Sequence, residues 1–97
     1  MINGVNQTNV PSAGTAVQLS NTANRVSWIK VKARAGNSGL VFLGRSDVSS
    51  TVGYELSAGN EIEIDYAASG GTVPISDFYV DAATNNDKIC WWAKMDG

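Results

Sequence analysis

Three acidic side chains at alternate positions, Glu61, Glu63 and Asp65, have spacing that invites chemistry in this 97-residue chain. Alternate strand residues lie about 6.6 Å apart, loosely in range for the paired carboxylates of glycoside hydrolysis. Nothing in the neighbouring sequence supplies a cleft, so an exposed strand face is the expected setting for this trio. Residues 81–87, Asp-Ala-Ala-Thr-Asn-Asn-Asp, offer oxygen ligands but lack the alternate spacing and terminal Glu of a calcium loop. They read as a hairpin turn. Cys90, the single cysteine, precedes two tryptophans in an apolar run and is expected to behave as a small buried hydrophobe. The basic neighbours that a reactive thiolate needs are limited to Lys88 and Lys94.

Composition narrows the choices further. The chain has no histidine, which removes every Ser-His, Cys-His and His-metal arrangement. One cysteine excludes an internal disulfide and a thiolate zinc cage. Seven Lys and Arg against nine Asp and Glu give a formal net charge of −2, with no basic excess to attract nucleic acid. No apolar run approaches the length of a membrane helix. Residues 1–12 have neither the basic start nor the apolar stretch of a secretion signal, so residence in a reducing cytoplasm is expected. A non-enzymatic protein without a cofactor or metal is the expectation.

These groups need elements to position them, and the periodicity is two rather than 3.6. In residues 25–35, Ser27, Ile29, Val31, Ala33 and Ala35 fall on one face and Trp28, Lys30, Lys32 and Arg34 on the other, as in a half-buried strand. Gly39-Leu-Val-Phe-Leu-Gly44 is a continuous apolar run bounded by glycines, the pattern of a central strand covered on both sides. Residues 60–66 set Ile62, Ile64 and Tyr66 against Glu61, Glu63 and Asp65. Residues 77–82 set Phe78 and Val80 against Asp77, Tyr79 and Asp81. Residues 88–95 set Ile89, Trp91, Ala93 and Met95 against Lys88, Cys90, Trp92 and Lys94. Shorter pieces at 16–20 and 53–57 complete about seven strands, and turn clusters around residues 35–39, 58–60, 69–71 and 84–87 separate them. The predicted fold is all-β: one antiparallel β-sandwich or jelly-roll-like domain of seven to eight strands over residues 15–97. Residues 1–14 are expected to form an extended, irregular arm laid along a neighbour.

Two surfaces stand out as contact candidates. Ile2, Val5 and Val10 are the apolar points of the arm. Trp91 and Trp92 are adjacent on a strand and must face opposite ways, which assigns Trp91 to the core and Trp92 outward beside Lys88 and Lys94. Trp28 shares its face with Lys30 and Lys32, and Tyr79 also points outward. Exposed Trp is enriched in interfaces, so Trp28, Tyr79 and Trp92 are candidates for a subunit contact, a sugar-stacking platform or cover by loops. The acidic row of residues 61–65 and the basic row of residues 30–34 have two possible relations. They are either paired on one sheet face or complementary between subunits.

The order "apolar strand, Gly, Ser-Asp-Val, Gly-x-x-Leu, x-Ala-Gly, alternating Glu-Ile" over residues 39–65, then Phe-Tyr-Val-Asp-Ala over residues 78–82, resembles small β-sandwich structural proteins of tailed bacteriophages. Ala16-Val-Gln-Leu19 resembles the opening of those domains. The likeness spans residues 15–93 and rests on strands and turns rather than on catalytic residues. It implies a virion component, most specifically a capsid decoration (cement) protein. Such a protein sits as a homotrimer on the outer shell, contacts the major capsid protein and is made in the bacterial host cytoplasm. Head-fibre or tail proteins are further members of the group. The alternative is a carbohydrate-binding β-sandwich module that stacks glycans on Trp92, Trp28 or Tyr79.

Overall fold

A computed structural model describes residues 6–20, 24–66 and 71–95. Among the described residues nine strands succeed one another: β1 (Asn6–Val10), β2 (Val17–Gln18), β3 (Arg25–Ala33), β4 (Val41–Gly44), β5 (Tyr54–Leu56), β6 (Glu61–Asp65), β7 (Val73–Pro74), β8 (Tyr79–Ala82) and β9 (Asp87–Met95). The only helical element among the described residues is a single 3-10 turn, Ile75–Asp77.

The strands form two antiparallel sheets. The first runs β1-β9-β3-β6, with β7 also against β3, and the second runs β2-β8-β4-β5. With the two-residue β7 set aside, the pairs β1–β9, β2–β8, β3–β6 and β4–β5 are nested, each inside the previous one. Rolling this long hairpin brings β9 onto β3 and β8 onto β4. That double wrapping is the topology of a jelly roll. Fold class and alternation therefore agree with the sequence expectation, and every strand read from the sequence is present.

The inward faces supply the core. Val26, Ile29, Val31, Ala33, Ile89 and Ala93 of the first sheet are fully buried and meet Val41, Leu43, Leu56, Val80 and Ala82 of the second. Burying a Val, Leu or Ile side chain contributes about 1.5–3 kcal/mol, so these two faces dominate the stability of the domain. Along β3 the register against β9 steps between Val26 and Trp28, which makes Ser27 the extra residue of a bulge. The bulge leaves Val26 and Ser27 both buried, whereas a regular strand would turn one of them outward.

Two expectations are corrected. The arm is not free over the described residues: β1 pairs with β9 from Asn6 opposite Trp91 to Val10 opposite Asp87, and Val10 is buried in the core. The residues that follow are also tied to their own chain. Ala13 N–H donates to Asn85 Oδ1 (2.7 Å) and Gly14 N–H to Asp81 Oδ1 (2.9 Å). Thr8 explains why this strand escaped the apolar alternation. Its hydroxyl accepts from the Trp91 indole N–H (3.2 Å) and donates to the Leu19 carbonyl (2.7 Å), so an inward position is polar. Ile2 and Val5 lie outside the described residues.

The second correction concerns residues 83–86. They do not close a hairpin, because β8 and β9 belong to different sheets. The loop is a crossing between layers, turned at Asn86 with φ 67°. Asn is one of the few non-glycine residues that adopt this left-handed conformation readily.

Candidate interaction surface

On the outer face of the first sheet, strand register decides which side chains become neighbours. β3 pairs with β6 so that Trp28 lies opposite Asp65, Lys30 opposite Glu63 and Lys32 opposite Glu61. On its other side β3 pairs with β9, placing Trp28 opposite Lys94, Lys30 opposite Trp92 and Lys32 opposite Cys90. The acidic and basic rows are therefore adjacent within one subunit. Lys30 Nζ reaches Glu61 Oε1 at 3.2 Å, and the Trp28 indole N–H donates to Glu63. An exposed pair of this kind contributes at most about 1 kcal/mol. Its larger effect is to orient the side chains of the face.

Trp28 and Trp92 meet diagonally across β3 and β9, with ring centroids 6.4 Å apart and planes at 77°. This edge-to-face arrangement is a favourable aromatic pairing, contributing about 0.5–1.5 kcal/mol. Trp28 is half-buried, while Trp92 remains 42% exposed. Trp91 points the other way into the core, at 6% exposure, as alternation requires. A shallow groove of about 220 Å³ runs beside Trp92, lined by Lys30, Lys32, Glu61, Cys90 and Trp91. Cys90 is half-buried on this outer face and is not a core residue, which corrects the sequence expectation. Alternation places it with Trp92, and that periodicity outweighs its apolar surroundings in sequence.

The remaining candidates separate. Tyr79 is half-buried on β8 of the second sheet, so it cannot join Trp28 and Trp92 in one surface. The outer side of the second sheet is covered in part by residues 45–53: Val48 is buried, and the position a Cβ would take on Gly53 lies 2.7 Å from Val48 Cγ2 and 3.3 Å from Phe42 Cβ. Phe42 thereby becomes buried although it faces away from the main core, which accounts for the unbroken apolar run of β4. Val52 and Tyr54 project from this part of the chain at 48% and 56% exposure. Their signal in the sequence is two apolar side chains flanking Gly53 after a strand, which the strand reading passed over.

The acidic groups that suggested chemistry have structural duties. Asp87, 5% exposed, accepts from Ser38 N–H at Oδ1 (3.0 Å) and from Gly39 N–H at Oδ2 (2.8 Å). Asp81, 2% exposed, accepts from Gly14 N–H (2.9 Å) and from Ala82 N–H (2.8 Å). Both carboxylates bind backbone donors and hold connections in place. Glu61 and Glu63 lie on an exposed strand and are engaged by Lys30 and Trp28. Among the described residues, no three His, Cys, Asp or Glu side chains are grouped to hold a metal ion. What this surface offers is contact chemistry: an exposed indole, lysines and a shallow groove on a rigid sheet.

No protein-family model, curated protein or solved structure matches the chain. The jelly-roll topology and the Trp28–Trp92 face are therefore the features from which a function has to be argued.

Proposed function

We propose that the protein is a non-enzymatic structural component of a tailed-bacteriophage virion. In this reading it is a capsid decoration protein that binds the outer shell as a homotrimer and braces the major capsid protein. The observation that supports the reading is Trp92. It is paired edge-to-face with Trp28 on a lysine-bearing sheet face and remains 42% exposed, and exposed indoles of this kind are enriched in interfaces. Jelly rolls recur in viral capsid and lectin domains, which agrees with an assembly role, although a fold does not by itself assign one.

Attachment then works by repetition. One face of this size adds modest area per copy, and copies joined by symmetry hold together through avidity. In this reading attachment is assigned to the outer face of the first sheet rather than to the arm, since Asn6–Val10 pairs with β9 and the Ala13 and Gly14 N–H groups are bonded to their own domain. The protein would be made in the host cytoplasm and reside on the capsid surface.

The second reading is glycan binding, favoured by the groove beside Trp92. The 77° angle weighs against it, since the two rings do not form a continuous stacking platform. Light scattering of the purified protein is expected to give a mass near three times 10.2 kDa. Trp92→Ala is expected to weaken binding to purified shells at least tenfold while leaving the circular dichroism spectrum unchanged. A monomer that ignores shells, and whose tryptophan fluorescence is quenched by a sugar, would overturn the decoration reading in favour of the second.

A further inference from the structure

The free side of β6 carries a different kind of site. The β3–β6 ladder has a fixed phase, because Tyr66 N–H donates to the Ser27 carbonyl (2.7 Å) and Ala33 N–H to the Asn60 carbonyl (2.9 Å). In an antiparallel ladder, hydrogen-bonded and non-hydrogen-bonded residues alternate. Ile62 and Ile64 therefore direct their backbone groups to β3, and Glu61 and Glu63 direct theirs away from it. Among the described residues, no strand other than β3 pairs with β6.

Side chains on the two faces of this edge differ as sharply. Outward stand the carboxylates of Glu61 and Glu63. Inward stand Ile62 and Ile64, which face the core side yet remain half-exposed. They line a cleft of about 270 Å³ between the sheets, together with Leu43, Tyr54, Tyr66 and Phe78. The second sheet leaves them uncovered because its last strand, β5, is only three residues long.

The partner that fits such an edge is already visible on its other side. There β3 sets Lys30 opposite Glu63 and Lys32 opposite Glu61, with Ile29 opposite Ile64 and Val31 opposite Ile62. We propose that β6 is an augmentation site for an extended segment of another polypeptide that alternates basic and aliphatic side chains. The segment pairs its backbone with Glu61 and Glu63. It lays its Lys or Arg side chains along their carboxylates and its aliphatic side chains over the cleft at Ile62 and Ile64.

Charge selects this occupant over others. Two β6 edges from separate copies would set acid opposite acid, which disfavours pairing. Charged edges commonly prevent aggregation in this way, and here the protection discriminates by sign. Glu61 and Glu63 already meet Lys30 and Trp28, but an ionised carboxylate has about four lone-pair sites and keeps capacity for a second cation. The inference stands apart from the decoration reading, since it uses the free backbone edge of β6 and the cleft at Ile62 and Ile64 rather than the Trp28–Trp92 pair, and a different partner chemistry.

The test is titration of the isotopically labelled full chain with the acetylated, amidated hexapeptide Lys-Ile-Lys-Val-Lys-Ile. The same peptide with Glu for every Lys serves as control. Saturable shifts centred on the amides of Glu61 and Glu63 are expected with the basic peptide and none with the acidic one. The double variant E61K/E63K should bind the basic peptide at least tenfold more weakly and gain binding of the acidic one. If that variant fails to fold, Glu63→Pro substitutes for it. Position 63 directs its N–H away from β3, so proline blocks the edge while sparing the existing ladder. No saturable binding of the basic peptide, equal binding of both peptides, or shifts centred on Trp28 and Trp92 would each overturn the proposal.

Discussion

Replacing Asp87 with alanine is expected to destabilise the domain by about 2–4 kcal/mol, since hydrogen bonds to a charged group contribute about 1.5–3 kcal/mol each and a donor left unpaired adds a desolvation cost. The carboxylate is buried at the start of β9 and holds both Ser38 and Gly39 N–H groups, so it pins the β3–β4 connection to a strand of the first sheet. The adjoining residue continues the clamp. Asn37 Oδ1 accepts from Lys88 N–H (2.8 Å) and Asn37 Nδ2 donates to the Lys88 carbonyl (2.7 Å), so a side-chain amide imitates a strand neighbour. Gly39 has no room for compensation, because a Cβ there would lie 2.7 Å from Thr84 Oγ1. Asp87→Asn keeps one acceptor oxygen and should lose about half as much as Asp87→Ala. Urea unfolding checks both: the midpoint should fall in that order with an unchanged slope. A loss below about 1 kcal/mol for Asp87→Ala would show that the clamp is dispensable.

The second large effect is at Ile29. This side chain is fully buried in the middle of β3, between Ile64 on one side and Ala93 on the other. Ile29→Ala removes apolar contact and leaves a cavity, for an expected loss of about 2–5 kcal/mol. Small domains are stable by about 5–15 kcal/mol in all, so the variant approaches the limit of folding. A drop in melting temperature on the order of 10–20 °C is expected for a chain of this size. Lys32→Ala, three residues on and facing outward, should stay within about 0.5 kcal/mol of the parent. If the two variants melted alike, the inward and outward assignment of β3 would be wrong.

These two residues differ in how far the sequence exposed their roles. Ile29 belongs to an alternation of nine residues, 27–35, and period-two spacing assigns a face without any knowledge of partners. The same holds for Trp91 and Trp92, whose opposite directions follow from adjacency on a strand. Asp87 carried no such signal. In sequence it closed a polar loop that read as a hairpin turn, its oxygen ligands lacking the spacing of a calcium loop. Its actual partners, Ser38 and Gly39, lie about fifty residues away, and no local spacing reports them.

The candidate surface divides in the same manner. Outward direction was readable for Trp28, Trp92, Lys30 and Lys32, and so was the acidic row at Glu61, Glu63 and Asp65. That the rows are adjacent in one subunit depends on β6 pairing with β3 in one register. The meeting of Trp28 with Trp92 depends equally on β9 flanking β3 on its other side. Cys90 shows the cost of reading neighbours in sequence as neighbours in space: its apolar context suggested the core, and its parity put it outside.

By itself, then, the sequence determined that this is a β protein, which residues of each strand share a face, and where the chain turns. Those properties follow from local geometry, since side chains alternate on any strand and glycine and asparagine favour turns wherever they occur. The tertiary structure alone decided which sheet each strand joins, because turn residues look the same whether the chain returns beside itself or crosses to the other layer. It also decided that Asn6–Val10 closes the first sheet as an edge strand, since its inward Thr8 is polar to satisfy the indole of Trp91. The acidic trio that first invited chemistry is, in the folded chain, an edge strand with its carboxylates outside and its isoleucines half-covered. Pairing and enclosure gave it that role, and both are properties of contacts between segments far apart in the chain.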